Sequence, residues 1–136
     1  MDYILEHLAI GDAAEGTSPP AGITAVLCVA EEIALAAGFS PAHKVPITDM
    51  QPVPPHQLAE AVNWISRHID EQTILVYCNS GVGRASSVVV GFLCLKRGMG
   101  FGEAVQWVAE RRPYMSTLPA LITSIAQVAE GSDGGG

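Results

Sequence analysis

Basic residues, charge of either sign and long apolar runs are all scarce in this 136-residue chain, and each scarcity excludes something. Lysine and arginine total 7 against 14 aspartates and glutamates. The net charge of −7 disfavours nucleic acid and anionic membranes as partners, because both are held by an excess of cations. No run reaches the ~18 apolar residues of a membrane span, and no basic segment precedes an apolar stretch. The expectation is therefore neither a span nor a signal peptide. The 3 cysteines, an odd number at no metal-ligand spacing, argue against a disulfide framework and for a reducing compartment, the cytoplasm. Charged residues at 15% beside 49% hydrophobic residues exclude a disordered chain.

What is present reads as one globular domain over residues 1–130, followed by a flexible glycine-rich tail at 131–136. Strand candidates are about 3–9, 23–29, 43–47 and 73–77, judged from β-branched and apolar runs between glycine and proline signals. Leu58, Ala61, Val62, Ile65 and Ile69 share one face at helical spacing, as do Leu118, Leu121, Ile122, Ile125 and Val128. Strands alternating with helices predict an α/β fold, a mostly parallel sheet of four to five strands with helices on both faces.

The most informative stretch follows the last of those strands. Cys78-Asn79-Ser80-Gly81-Val82-Gly83-Arg84 places a cysteine and an arginine at the two ends of a glycine-containing loop, with an apolar helix from Arg84 onward. Five intervening residues let the chain curl round a tetrahedral oxyanion with backbone N–H groups turned inward, and Gly81 and Gly83 permit the curl. The helix N-terminus adds unpaired donors and a partial positive charge, which favour both a bound phosphate and Cys78 as thiolate. A Cys-x5-Arg pair arises by chance in roughly one chain in ten of this composition, and the two glycines lower that to about one in a thousand. The loop is thus a phosphate pocket formed by Asn79, Ser80, Gly81, Val82, Gly83 and Arg84, with Cys78 as nucleophile.

That run resembles the active-site loop of the cysteine-dependent phosphatases, His-Cys-x-x-Gly-x-x-Arg-Ser/Thr. In that family the general acid is an upstream aspartate on a loop after a strand. Val45-Pro46-Ile47-Thr48-Asp49-Met50-Gln51-Pro52 is similar to that acid loop, and Asp49 lies 29 residues before Cys78. The order Asp49, Cys78, Arg84 resembles the dual-specificity group, as do the segment from Tyr3 to Asp12, Gly22-Ile23-Thr24-Ala25-Val26-Leu27-Cys28-Val29, and Arg111-Arg112-Pro113 after a helix. The resemblance implies a small, single-domain dual-specificity phosphatase needing no metal or cofactor. Its substrates would be phosphotyrosine and phosphoserine or phosphothreonine on proteins, or small phosphomonoesters. Residues 79–83 carry none of the lysines that members acting on inositol phospholipids place there.

Two departures stand out. Tyr77 replaces the usual histidine before the cysteine, and Ala85 replaces the usual hydroxyl residue after the arginine, with Ser86 one position along. These motivate a phosphate-binding pseudophosphatase as one alternative. A glucan phosphatase is the other, since some carry alanine after the arginine, although aromatics at 6% leave few platforms for sugar. Elsewhere the plain reading prevails. Glu31 and Glu32 read as a solvated helix start, and Cys28 and Cys94 as core residues. His43, His56 and His68 have no metal-ligand spacing. Pro52, Pro54 and Pro55 read as stiffening of the acid loop and the start of the next helix. Trp64 and Trp107 read as core or groove aromatics.

Overall fold

The computed structural model describes residues 1–35 and 38–131. In chain order its elements are β1 (Asp2–Leu5), β2 (Leu8–Gly11), α1 (Ala13–Thr17), β3 (Ala25–Cys28), β4 (Ala42–Lys44), α2 (Pro55–His68), β5 (Ile74–Tyr77), α3 (Arg84–Arg97), α4 (Phe101–Arg111) and α5 (Leu121–Gly131). The five strands form one sheet in the order β1-β2-β5-β3-β4. Among the described residues only β1 and β2 pair antiparallel; β2 with β5, β5 with β3, and β3 with β4 are parallel.

β5 is the central strand, and all four of its residues are buried, which is why Ile74, Leu75, Val76 and Tyr77 read as an unbroken apolar run. Its carboxyl end delivers Cys78 to the edge of the sheet, where open α/β sheets hold their ligands. α3 packs against β2 and β5 and is itself enclosed by α2, α4 and α5. That enclosure explains why Val88, Val89, Val90, Phe92 and Leu93 are all buried, on every side of the helix.

Three details differ from the sequence expectation. The first strand is a hairpin: Glu6 and His7 form a turn, so that Leu5 pairs with Leu8 and Asp2 with Ile10. On α5, Ile122 is 56% exposed, and the buried face runs through Leu121, Ser124, Ile125 and Val128. Ser124 occupies that face by donating its hydroxyl to the Val53 carbonyl at 2.8 Å, which ties the segment after Asp49 to α5. Gly131, assigned to the tail from sequence, is the last residue of α5, and residues 132–136 lie outside the described residues. α2 begins at Pro55 as the prolines suggested, because a missing N–H costs nothing in a first turn. No helix among the described residues is long and apolar enough to cross a membrane.

His43, His68 and both tryptophans have structural partners. His43 bonds Glu60 at 2.7 Å and stacks on Trp64, which also meets His68; the Trp107 indole donates to the Ile4 carbonyl. All three cysteines are free, and burial pushes the Cys94 thiol up from its ordinary pKa. Among the described residues, no group of three or more His, Cys, Asp or Glu could hold a metal ion.

Candidate active site

The loop from Cys78 to Arg84 is shaped by what holds its carbonyl oxygens. The Asn79 carbonyl accepts from the Ala13 N–H at 2.9 Å, that of Ser80 from Arg112 Nη2 at 3.5 Å, and that of Gly81 from Arg112 Nε at 2.8 Å. The Val82 carbonyl accepts from the Ser116 N–H, and that of Gly83 from the Ser87 N–H, each at 2.9 Å. Five consecutive carbonyls are therefore committed to the scaffold. Since C=O and N–H point oppositely across a trans peptide, drawing the carbonyls outward turns amide N–H groups to the other side, that of Gly81 to the Cys78 sulfur and that of Val82 to the Ser80 hydroxyl. Gly81 makes the sharpest step, at φ 73°. A Cβ there would lie 2.4 Å from Arg112 Nη2 and 2.7 Å from the Gly11 carbonyl, so only glycine fits.

Arg112 is a rivet that sequence reasoning noticed as part of a landmark without seeing its job. It is 3% exposed. Besides the two loop carbonyls, its Nη1 donates to Asp2 at 2.7 Å and to the Ile10 carbonyl, which joins β1, β2 and the loop through one guanidinium. The buried charge is paired, as burial requires.

Cys78 follows β5 and is 2% exposed, and its Sγ accepts the Gly81 N–H at 3.2 Å. Tyr77, beside it, is buried with its ring against Gly16 of α1, so close that a Cβ on Gly16 would come within 2.1 Å of the ring. Its hydroxyl donates to the Ala34 carbonyl at 3.2 Å. Tyr77 is thus a packing residue that seats α1 against β5. α1 is held for this purpose by a capping box in which Asp12 and Glu15 bond each other's backbone N–H. Of the three hydroxyls near the loop, one donates and two accept. Ser86 donates to the Gly81 carbonyl at 3.4 Å, Ser80 accepts the Val82 N–H, and Ser87 accepts the Leu118 N–H.

Arg84 is 2% exposed, and Glu32 grips it with both oxygens, Nη1 to Oε1 at 2.7 Å and Nη2 to Oε2 at 2.6 Å. Nη1 also donates to the Ile47 carbonyl. Nε is buried with no hydrogen-bond partner among the described residues. A buried donor left unpaired costs about 1–3 kcal/mol, so this N–H is poised for an acceptor brought by a ligand. Asp49 stands beside it, Oδ1 3.8 Å from Arg84 Nε, with the carboxylate fixed by the Met50 N–H at 2.9 Å. Met50 turns at φ 62°, a strained conformation for a non-glycine residue that presents Asp49 at the mouth.

Glu32 corrects the sequence expectation. It belongs to a turn and not to a solvated helix, and it is the arginine's clamp. The hydrogen bonds from Arg84 hold its carboxyl down at about 2 from an ordinary 4.5, and the same bonds raise the Arg84 pKa further. A lowered carboxyl stabilises the fold fully above about 4.5 and loses that contribution as pH falls toward about 2. Glu32→Gln is expected to leave the arginine charged but loosely aimed. Phosphate affinity and turnover should fall by roughly 10²-fold, the scale of an ångström's misplacement, and acid unfolding between pH 4.5 and 2 should become less steep. Unchanged kinetics in that variant would make Ile47 and the loop sufficient to aim Arg84.

The structure thus brings Cys78, Arg84, Asp49 and residues 79–83 together at the carboxyl end of β5. The family model for the dual specificity phosphatase catalytic domain matches residues 13–130, and the chain belongs to that family. It is 35% identical over 69 residues to the mouse protein named dual specificity protein phosphatase 19, covering 49% of this chain and 31% of the relative. It is 30% identical over 76 residues to the Arabidopsis thaliana protein-tyrosine-phosphatase IBR5, covering 55% and 30%. The match thus spans about a third of the length of these curated relatives. Human DUSP28 shares the fold over the whole of both chains, with a TM-score of 0.80 at 22% identity.

Proposed function

We propose that this chain hydrolyses phosphomonoesters on proteins, phosphotyrosine together with phosphoserine and phosphothreonine, through a phosphocysteine intermediate. The observation that carries this reading is the unpartnered Nε of buried Arg84, set between the loop and an aspartate 3.8 Å away. A phosphoryl group seated there takes the loop N–H groups and the free Arg84 donor on its equatorial oxygens, with Cys78 beneath the phosphorus. Cys78 thiolate forms the S–P bond as the P–O bond to the leaving group breaks, and Asp49 gives that oxygen its proton. Water then attacks phosphorus, its proton passes to Asp49, and the S–P bond breaks to release phosphate and restore the thiolate. No step calls on a metal or cofactor.

Ala85 affects the second half. With Ala85 offering no hydroxyl and Ser86 donating to the Gly81 carbonyl, the Gly81 N–H is the donor that meets the Cys78 sulfur, and breakdown of the phosphocysteine is the slower step. Residues 1–130 serve as the catalytic unit, and three free cysteines suit a reducing compartment such as the cytoplasm. The absence of lysine in 79–83 weighs against inositol phospholipids.

The test is phosphate release from phosphopeptides, phosphoglucan and inositol phosphates assayed side by side. The phosphopeptides are expected to lead by about tenfold or more, one missing pocket contact's worth of discrimination. Faster release from phosphoglucan would reverse the substrate assignment, and binding of phosphopeptide without release would make the chain a pseudophosphatase.

A further inference from the structure

We propose that Lys44 is a positioning residue for Arg84, acting through Glu32; this rests on the reading above of Arg84 as the group that receives the substrate phosphoryl. Arg84 can aim its free Nε only as well as its clamp is held, and the clamp is a single carboxylate on both Nη atoms, at 2.7 and 2.6 Å. Glu32 lies in a turn, outside every helix and strand. No ladder of backbone hydrogen bonds fixes it, so its place depends on contacts made to the turn from elsewhere.

Lys44 makes the strongest of those contacts. It ends β4, where it pairs with Cys28 of β3, so its backbone is part of the sheet. Its Nζ donates to the Glu31 carbonyl at 3.0 Å and to the Ile33 carbonyl at 2.9 Å. These belong to the residues immediately before and after Glu32, and one ammonium holds both. A charged donor makes a hydrogen bond roughly twice as strong as a neutral one. Among the described residues no carboxylate pairs with Lys44, so its charge is spent on the turn. The Arg84 hydrogen bonds do most to hold the Glu32 carboxyl down, and the Lys44 charge adds to them. The other bonds to this segment are neutral. The Glu31 N–H donates to the Ile47 carbonyl at 3.1 Å, the Cys28 thiol donates to the Ile33 carbonyl at 3.4 Å, and the Tyr77 hydroxyl donates to the Ala34 carbonyl. Without the ammonium these bonds keep the segment on the sheet but leave the two residues flanking Glu32 loosely held, and the carboxylate that aims Arg84 moves with them.

Affinity for tungstate, a tetrahedral dianion shaped like phosphate, is the readout, measured by isothermal titration so that no chemical step intervenes. Lys44→Met keeps the length of the stem and removes the ammonium, and is expected to weaken tungstate binding roughly tenfold. In a Glu32→Ala background, where the clamp is gone, the same substitution is expected to change affinity by less than about twofold. Lys44→Arg, whose fork offers two N–H groups to the two carbonyls, is expected to bind within about threefold of the parent. Should Lys44→Met not fold, Lys44→Gln takes its place in the same cycle. Unchanged affinity in Lys44→Met, an equal loss with and without Glu32, or no rescue by arginine would overturn the role of Lys44. A parent protein that binds no tungstate would instead remove the reading of the loop as a phosphate site, and the inference with it.

Discussion

Cys78→Ser is expected to lower turnover by more than about a thousandfold while phosphate still binds. A hydroxyl oxygen is a far weaker nucleophile toward phosphorus than a cysteine sulfur, so the substitution removes the attacking group and little else. Cys78 is 2% exposed, the smaller oxygen fits its place, and the Gly81 N–H still finds an acceptor. Arg84 remains clamped by Glu32, and the five outward carbonyls remain tied, so the anion site is intact. Isothermal titration with phosphate or vanadate together with an aryl phosphate assay reads both halves of the expectation. Residual turnover above about one per cent would mean that another group attacks phosphorus.

Asp49→Asn carries the second large effect, and its size depends on the leaving group. With alkyl phosphates, whose departing oxygen needs a proton, the loss is expected to be about 10²- to 10⁴-fold, and with nitrophenyl phosphate clearly less. The amide preserves the acceptor for the Met50 N–H, so the strained turn that presents residue 49 survives and the loss reports chemistry. The substitution also removes the charge 3.8 Å from Arg84 Nε, and tighter phosphate binding should accompany the slower reaction. Equal losses for good and poor leaving groups would make Asp49 an anchor of the mouth, with the proton coming from elsewhere.

The parts of this site that could be read from the chain are those built from neighbours in sequence. The Cys78 to Arg84 spacing, Gly81 and the apolar run before them specify strand, turn and helix start within a dozen residues, and the turn demands glycine at φ 73°. What escaped depends on contacts across the fold. Glu32 lies 52 residues from the arginine it clamps, and an exposed Glu-Glu pair in a loop carries no local sign of a partner. Arg112 bonds Asp2 across 110 residues, so the Arg-Arg-Pro pattern marks its place and hides its task. Glu6-His7 lacks the glycine or asparagine that usually announces a tight turn, so residues 3–9 carry the sequence pattern of a single strand although they fold as the β1–β2 hairpin. Ile122 fell on the apolar stripe of α5 by spacing alone, yet a buried Ser124 with a carbonyl partner was the better match to the Val53 side.

The phosphocysteine itself is the most direct point of test. The protein is mixed with a phosphotyrosine peptide, quenched in acid within the first turnovers, digested and read by mass spectrometry. A phosphoryl group on the peptide that carries Cys78, absent from the Cys78→Ser variant and accumulating because Ala85 offers sulfur no hydroxyl, is the predicted result. Steady phosphate release with unmodified Cys78 at every quench time, or with the phosphoryl group on another residue, would contradict it.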